Sequence, residues 1–210
     1  HMVFTGNPGT GKTTVARLVA RIYRELGILS GGQLVETDRS RLVAGYVGQT
    51  AINVREVVEQ ALGGVLFIDE AYALISPDAS NDYGSEAVDT LVKMMEDHRD
   101  DLVVIVAGYT EEMKSFLRSN TGLISRFNKF ISFEDYTQAQ LLEILKVMAG
   151  QAGMIVEENA LKRIGLRLAA MNEQERQMQY YQFPKFLLEL QLSQNARKEF
   201  MTEFWRDVFR

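Results

Sequence analysis

Eight residues near the amino terminus constrain this chain more than any other stretch. Gly6-Asn7-Pro8-Gly9-Thr10-Gly11-Lys12-Thr13 fits the pattern G-x-x-x-x-G-K-[ST] at every defined position. The pattern has meaning only between a strand and a helix, and both flanks comply. Residues 3–5 predict a short strand, and 12–26 carry Val15, Leu18, Val19 and Ile22 at helical spacing. Gly9 and Gly11 permit backbone shapes and close approach that a Cβ would block. The exposed N–H groups and the helix N-terminus then cradle an oligophosphate. Asn7, Pro8, Gly9, Thr10, Gly11, Lys12, Thr13 and Thr14 are therefore the candidate nucleotide-binding residues. Lys12 is expected at the β- and γ-phosphates, and the Thr13 hydroxyl on Mg²⁺.

The rest of the first 136 residues alternates strand-sized apolar runs with helical patterns. Further strands are predicted at 34–37, 65–68, 102–107 and 130–133, and helices at 51–62 and 85–97. Gly27, Gly31-Gly32 and Gly63-Gly64 punctuate them. Strands alternating with helices imply a parallel sheet with right-handed crossovers. The predicted fold class is α/β, a five-stranded parallel sheet flanked by helices. From Thr137 no strand pattern remains. Thr137 and Gln140 form a capping box ahead of Leu141, Leu142, Leu145 and Met148, and further helices are predicted at 157–171 and 184–205. Two domains are expected: a nucleotide-binding α/β part over 1–136 and a helical part over 137–210.

Val65-Leu66-Phe67-Ile68-Asp69-Glu70 carries the second half of the chemistry. Four apolar residues predict a strand buried on both faces, with two carboxylates at its C-terminal end, the edge where open α/β sheets bind ligands. Asp69 is placed to hold Mg²⁺, directly or through water. Glu70 is placed to polarise an attacking water, which points to hydrolysis rather than phosphorylation of a metabolite.

Composition removes the competing classes. With 46% hydrophobic and 24% charged residues, 210 residues suffice for a packed core, and no apolar run approaches membrane-spanning length. Membrane insertion is not expected. The absence of cysteine removes disulfides, thiolate metal sites and cysteine nucleophiles, and a cytoplasmic location fits. The chain opens on His1-Met2-Val3-Phe4 without a secretory signal pattern. The net charge is −5; residues 1–136 hold 13 Lys/Arg against 19 Asp/Glu, the remainder 10 against 9. That balance argues against nucleic acid as a partner. His98 and His1 are too few for a histidine metal site or triad.

These motifs resemble the AAA+ ATPases, of the CfxQ-like branch that includes CbbX, SpoVK and EccA. The resemblance rests on residues 4–17, Phe67-Ile68-Asp69-Glu70-Ala71-Tyr72, Asp82-Tyr83-Gly84, residues 100–109 and Ser125-Arg126-Phe127, and it spans about residues 2–150. It implies ATP as substrate, Mg²⁺ as cofactor and a homo-oligomeric, hexameric ring. Thr110 falls at the sensor-1 position, where a polar side chain helps hold the attacking water; a plain helix N-cap before Glu111-Glu112 suits it equally well. Arg126 falls at the arginine finger that reaches a neighbouring subunit's γ-phosphate, against the alternative of a surface ion pair. A second arginine is common two residues earlier, but that position is Ile124, with Arg118 as a local substitute. Residues 42–50 resemble the first pore loop, with Tyr46 gripping a peptide; otherwise Tyr46 is a tyrosine tucked under a glycine turn. The loop 76–84, with Asp78, Ser80, Asn81 and Asp82, stands in place of a second pore loop, and its spacing does not match an EF-hand.

The resemblance thins in the helical part. Where the family carries a sensor-2 arginine, this chain has Tyr180-Tyr181-Gln182-Phe183-Pro184-Lys185-Phe186. Lys185 can replace the charge but not a bidentate contact, and Arg176 and Arg197 are less well placed. The segment that contacts adenine in the family is also missing ahead of the first strand, as in a fragment of a longer protein. The expected function is ATP-driven remodelling or partial threading of a protein substrate through the pore. A slowly hydrolysing switch or assembly scaffold is the main alternative, followed by a DNA-directed machine and a metabolite kinase.

Overall fold

A computed structural model describes residues 1–46, 48–75, 83–151, 153 and 155–170. The chain divides into two compact units, His1–Glu134 and Asp135–Arg210.

The first unit is built on five parallel strands: β1 (Met2–Gly6), β2 (Leu34–Thr37), β3 (Val65–Ile68), β4 (Val103–Gly108) and β5 (Lys129–Phe133). Their order is β2-β3-β4-β1-β5, so the chain reverses direction across the sheet at β1. Helices α1 (Lys12–Glu25), α2 (Arg39–Leu42), α3 (Gln49–Ala61), α4 (Gly84–Asp97), α5 (Thr110–Arg118) and α6 (Thr121–Arg126) make the connections, with a 3-10 turn at Ala71–Leu74.

Strand alternation sorts the apolar side chains onto two faces. Phe4, Val65, Phe67 and Ile105 pack with Ala16 and Ala20 of α1, while Val3, Leu66, Ile68, Val104 and Val106 pack in a larger cluster with α3 and α4. All of β3 and β4 is buried, which is why both read as unbroken apolar runs. β5 lies at the sheet's edge, and its first four residues stay exposed.

The second unit begins with α7 (Gln138–Gln151) and α8 (Glu158–Ala170). The capping box is present: Gln140 Oε1 accepts from the Thr137 N–H at 2.8 Å, and Gln140 N–H donates to Thr137 Oγ1 at 3.4 Å. Gln138 Nε2 donates to the Gly165 carbonyl at 2.7 Å, tying the two helices. The helix predicted at 184–205, Lys185, Arg176, Arg197 and the loop carboxylates Asp78 and Asp82 lie outside the described residues.

Several boundaries differ from the sequence expectation. α3 starts at Gln49 rather than 51, because Gly48 at φ 79° takes the left-handed N-cap position. β5 starts at Lys129, not 130, since pairing with Met2 recruits a lysine that no hydrophobic pattern marks.

Candidate nucleotide site

Parallel strands deliver their C-terminal ends to one edge, and three of those ends carry the candidate residues. β1 and β3 flank β4, which puts their ends about 9–10 Å apart. The glycine-rich loop leaves β1, Asp69-Glu70 leave β3, and Thr110 follows β4 between them. Gly6 permits the exit from β1. It sits at φ 143°, and a Cβ there would lie 2.2 Å from the carbonyl oxygen of Phe133 on β5. Gly11 then takes the N-cap of α1 at φ 91°, a left-handed conformation that glycine adopts without a Cβ penalty.

Lys12 is only 8% exposed. Its ammonium donates to the carbonyls of Gly6 at 2.9 Å and Asn7 at 2.7 Å, so it already lies across the loop. Thr10 is buried, and its hydroxyl donates to the Asn7 carbonyl at 2.8 Å. Thr13 is half-buried and Thr14 exposed at the start of α1. The donor set fits a nucleotide phosphate and its magnesium ion: an ammonium, backbone N–H groups at a helix start, a hydroxyl and a carboxylate. Among the described residues no three acidic or histidine side chains gather as a metal cluster.

Glu70 has the left-handed conformation, φ 47° and ψ 42°. Among the described residues it is the sole non-glycine with positive φ. Such a conformation costs about 1–2 kcal/mol, and it persists where the surroundings over-determine it. Its N–H donates to Asp69 Oδ1 at 3.0 Å, while Asp69 N–H donates to the Thr37 carbonyl at 3.0 Å. Both carboxylates are exposed. The Tyr72 ring lies 6.0 Å from that of Tyr109, tilted by 40°, and burial, aided by the Glu70 charge, pushes the Tyr72 phenol up to about 12.

Thr110 is exposed and is the first residue of α5, not its cap. Tyr109, extended at ψ 148°, takes the N-cap position without a side-chain bond, so the simple capping alternative for Thr110 is corrected. Tyr46 is 80% exposed on the loop joining α2 and α3, which removes the alternative of a tyrosine tucked under a turn. The loop's base is held where Ala44 N–H donates to the fully buried Thr50 hydroxyl at 3.0 Å.

Arg126 stands apart from this group. It ends α6, just before β5, whose first residue pairs with Met2 at the start of β1. The loop leaves the other end of β1, roughly 13 Å of strand away. Its Nη2 pairs with Glu96 Oε2 at 3.3 Å, its Nη1 donates to the Gly122 carbonyl at 3.2 Å, and Nε is buried without a partner. The ion-pair alternative is thus realised within the chain, and the side chain remains 24% exposed. Glu96 was not marked by the sequence, since its link to Arg126 spans thirty positions of chain.

A cavity of about 660 Å³ opens beside Glu70, lined among others by Asp38, Arg39, Val43, Ala44 and Asp69. It joins the carboxylate turn to the loop that carries Tyr46. Asp38 caps α2 by accepting from Ser40 N–H at 2.8 Å and from the Ser40 hydroxyl at 2.6 Å, which holds its carboxyl below the usual range. Asp38 and Arg39 line this cavity beside Glu70, and sequence reasoning did not mark them. An Asp before a four-residue helix was the one available signal, and it was too short to read.

The ATPase family associated with various cellular activities (AAA) matches residues 2–135. Protein CfxQ of Xanthobacter flavus is 49% identical over 171 residues, covering 78% of this chain and 54% of its own. The chloroplastic ribulose bisphosphate carboxylase/oxygenase activase of Cyanidioschyzon merolae is 52% identical over 148 residues, covering 70% and 50%. The chain therefore spans about half the length of these relatives. The crystal structure of the FIGL-1 AAA domain in complex with ADP shares the fold, with a TM-score of 0.55 and 21% identity over 78% of this chain and 53% of that one. No helix among the described residues is long and apolar enough to cross a membrane. With the family model covering residues 2–135 and relatives about half identical, the chain belongs to the AAA ATPases, in the CfxQ-like branch its motifs resemble.

Proposed function

We propose that this chain is the ATP-hydrolysing module of a cytoplasmic, homo-oligomeric motor, a hexameric ring that remodels or partly threads a protein substrate. One observation carries the reading. The nucleotide residues gather at the C-terminal edge of the sheet, while Arg126 lies toward the opposite edge, an arrangement that favours service to another subunit's site.

In this mechanism the loop N–H groups and Lys12 bind the phosphates, with Lys12 exchanging the Gly6 and Asn7 carbonyls for phosphate oxygens. Thr13 and Asp69 would hold magnesium, which when bound would supply charge stabilisation to the phosphates. Glu70 orients and polarises the attacking water, with Thr110 alongside. Arg126 of a neighbouring copy stabilises the charge that develops on the γ-phosphate. Lys185, in the helical part, is the candidate cation to stand in for a sensor-2 arginine. The activase among the relatives supports a protein substrate for this chain.

The exposed Tyr46 is the gripping residue. Replacing it with alanine removes an aromatic face without touching the nucleotide residues. Hydrolysis by the wild-type chain should rise when an unfolded polypeptide such as casein is added. Tyr46→Ala should keep the basal rate within twofold and lose that stimulation. Full stimulation in the variant would contradict the pore assignment.

A further inference from the structure

The strained Glu70 turn is held from outside by a side chain that the mechanism above does not use. Arg39 is the first residue of α2, and its Nη1 donates to the carbonyls of Ala73 at 2.7 Å and Leu74 at 2.8 Å. Those carbonyls end the 3-10 turn that starts directly after Glu70. Carbonyls at a helix end lack partners inside the helix, and a cation there is favourable both as donor and as charge.

A second tie lies on the other side of the carboxylates. Asp69 N–H donates to the carbonyl of Thr37, the last residue of β2. The pair Asp69-Glu70 is therefore bracketed, before and after, by bonds to one short segment, 37–39. Asp38 stiffens that segment by capping α2 through Ser40 and Arg41. α2 then runs to the buried Leu42 and into the loop that carries Tyr46. The cavity beside Glu70 has walls from both sides of this link, Asp69 and Ala73 on one, Val43 and Ala44 on the other.

We propose that Arg39 is a positioning residue that holds the Glu70 turn in its strained conformation and makes that turn and the Tyr46 loop move as one body. Its guanidinium conveys a change at the carboxylate turn to the loop, and a load on the loop back to the turn. The inference rests on the hydrolytic role proposed for Glu70, and its loop component can be read without hydrolysis.

The test uses Arg39→Met, which keeps the stem and removes the donors, and Arg39→Lys, which can reach one carbonyl at a time. The sequence has no cysteine, so Gly45→Cys provides a single labelling site, and a Cβ at Gly45 meets nothing within 4 Å. A bimane label there reports on the loop when a non-hydrolysable ATP analogue is added. Arg39→Met should lower kcat at least tenfold, with KM and fluorescent-nucleotide affinity within twofold of wild type. It should also abolish the label's response to the analogue, while Arg39→Lys falls between.

Wild-type kcat and a wild-type loop response in Arg39→Met would overturn the proposal. So would a bound analogue that leaves the label silent with Arg39 in place. If Arg39→Met does not fold, as judged by circular dichroism, Arg39→Lys decides by the same readouts, and wild-type values there overturn the proposal. A wild-type chain that binds ATP without turnover would count against the motor reading, and the loop response would still decide on Arg39.

Discussion

Replacing Lys12 by methionine is expected to weaken ATP binding at least a hundredfold, about 2.7 kcal/mol. Methionine keeps most of the apolar stem, so the change removes the ammonium and little packing. In the unliganded chain that ammonium is nearly buried and donates to two loop carbonyls. A hydrogen bond from a charged donor is worth about 1.5–3 kcal/mol, and transfer to a more highly charged phosphate acceptor strengthens it. The same substitution leaves the Gly6 and Asn7 carbonyls short of a donor, so some stability is lost as well. For a chain of this size each ~1 kcal/mol lowers the melting temperature by about 2–4 °C. Fluorescent-nucleotide titration beside a melting curve separates the two effects. Unchanged affinity in a folded Lys12→Met chain would remove the glycine-rich loop from the nucleotide site.

Arg126→Ala is expected to leave ATP affinity within threefold and to lower kcat by about 10³ or more, the scale on which arginine fingers act. Stability should barely change. The Arg126–Glu96 pair is partly exposed and worth about 1 kcal/mol at most, and Glu96 keeps a second partner in Arg99 at 3.1 Å. A residue whose loss spares folding and binding yet removes turnover acts on the transition state. Arg126 precedes β5, at the end of the sheet away from the loop after β1, which is why the proposed finger is assigned to another copy's site. Mixing Arg126→Ala chains with Glu70→Gln chains should restore turnover in part, because interfaces form that pair an intact Glu70 with an intact Arg126. Absence of any recovery would contradict action between subunits.

The parts of this site that were legible in the sequence are those set by local chemistry. The loop of residues 6–13 must be built from those residue types at that spacing, and Val65–Ile68 reads as a doubly buried strand because four apolar side chains leave no solvent face. Thr137 and Gln140 announce their helix by a contact within one turn. The features missed depend on groups far apart in the chain. Arg39 meets Ala73 and Leu74 across more than thirty residues, and Glu96 meets Arg126 across a similar span. α2 and α6 are too short, at four and six residues, for periodicity to register. The left-handed conformation of Glu70 has no signature in a glutamate's identity, since non-glycine residues seldom adopt it.

The central claim is that ATP is hydrolysed at sites shared between copies of this chain. It is tested most directly by phosphate release per subunit across a range of protein concentrations, for wild type beside Glu70→Gln. The account predicts a specific activity that climbs with concentration in the wild type and a rate at least a hundredfold lower in Glu70→Gln at every concentration, with ATP binding retained. A flat, near-zero wild-type rate with ATP bound would contradict it and point to a nucleotide-dependent switch or scaffold.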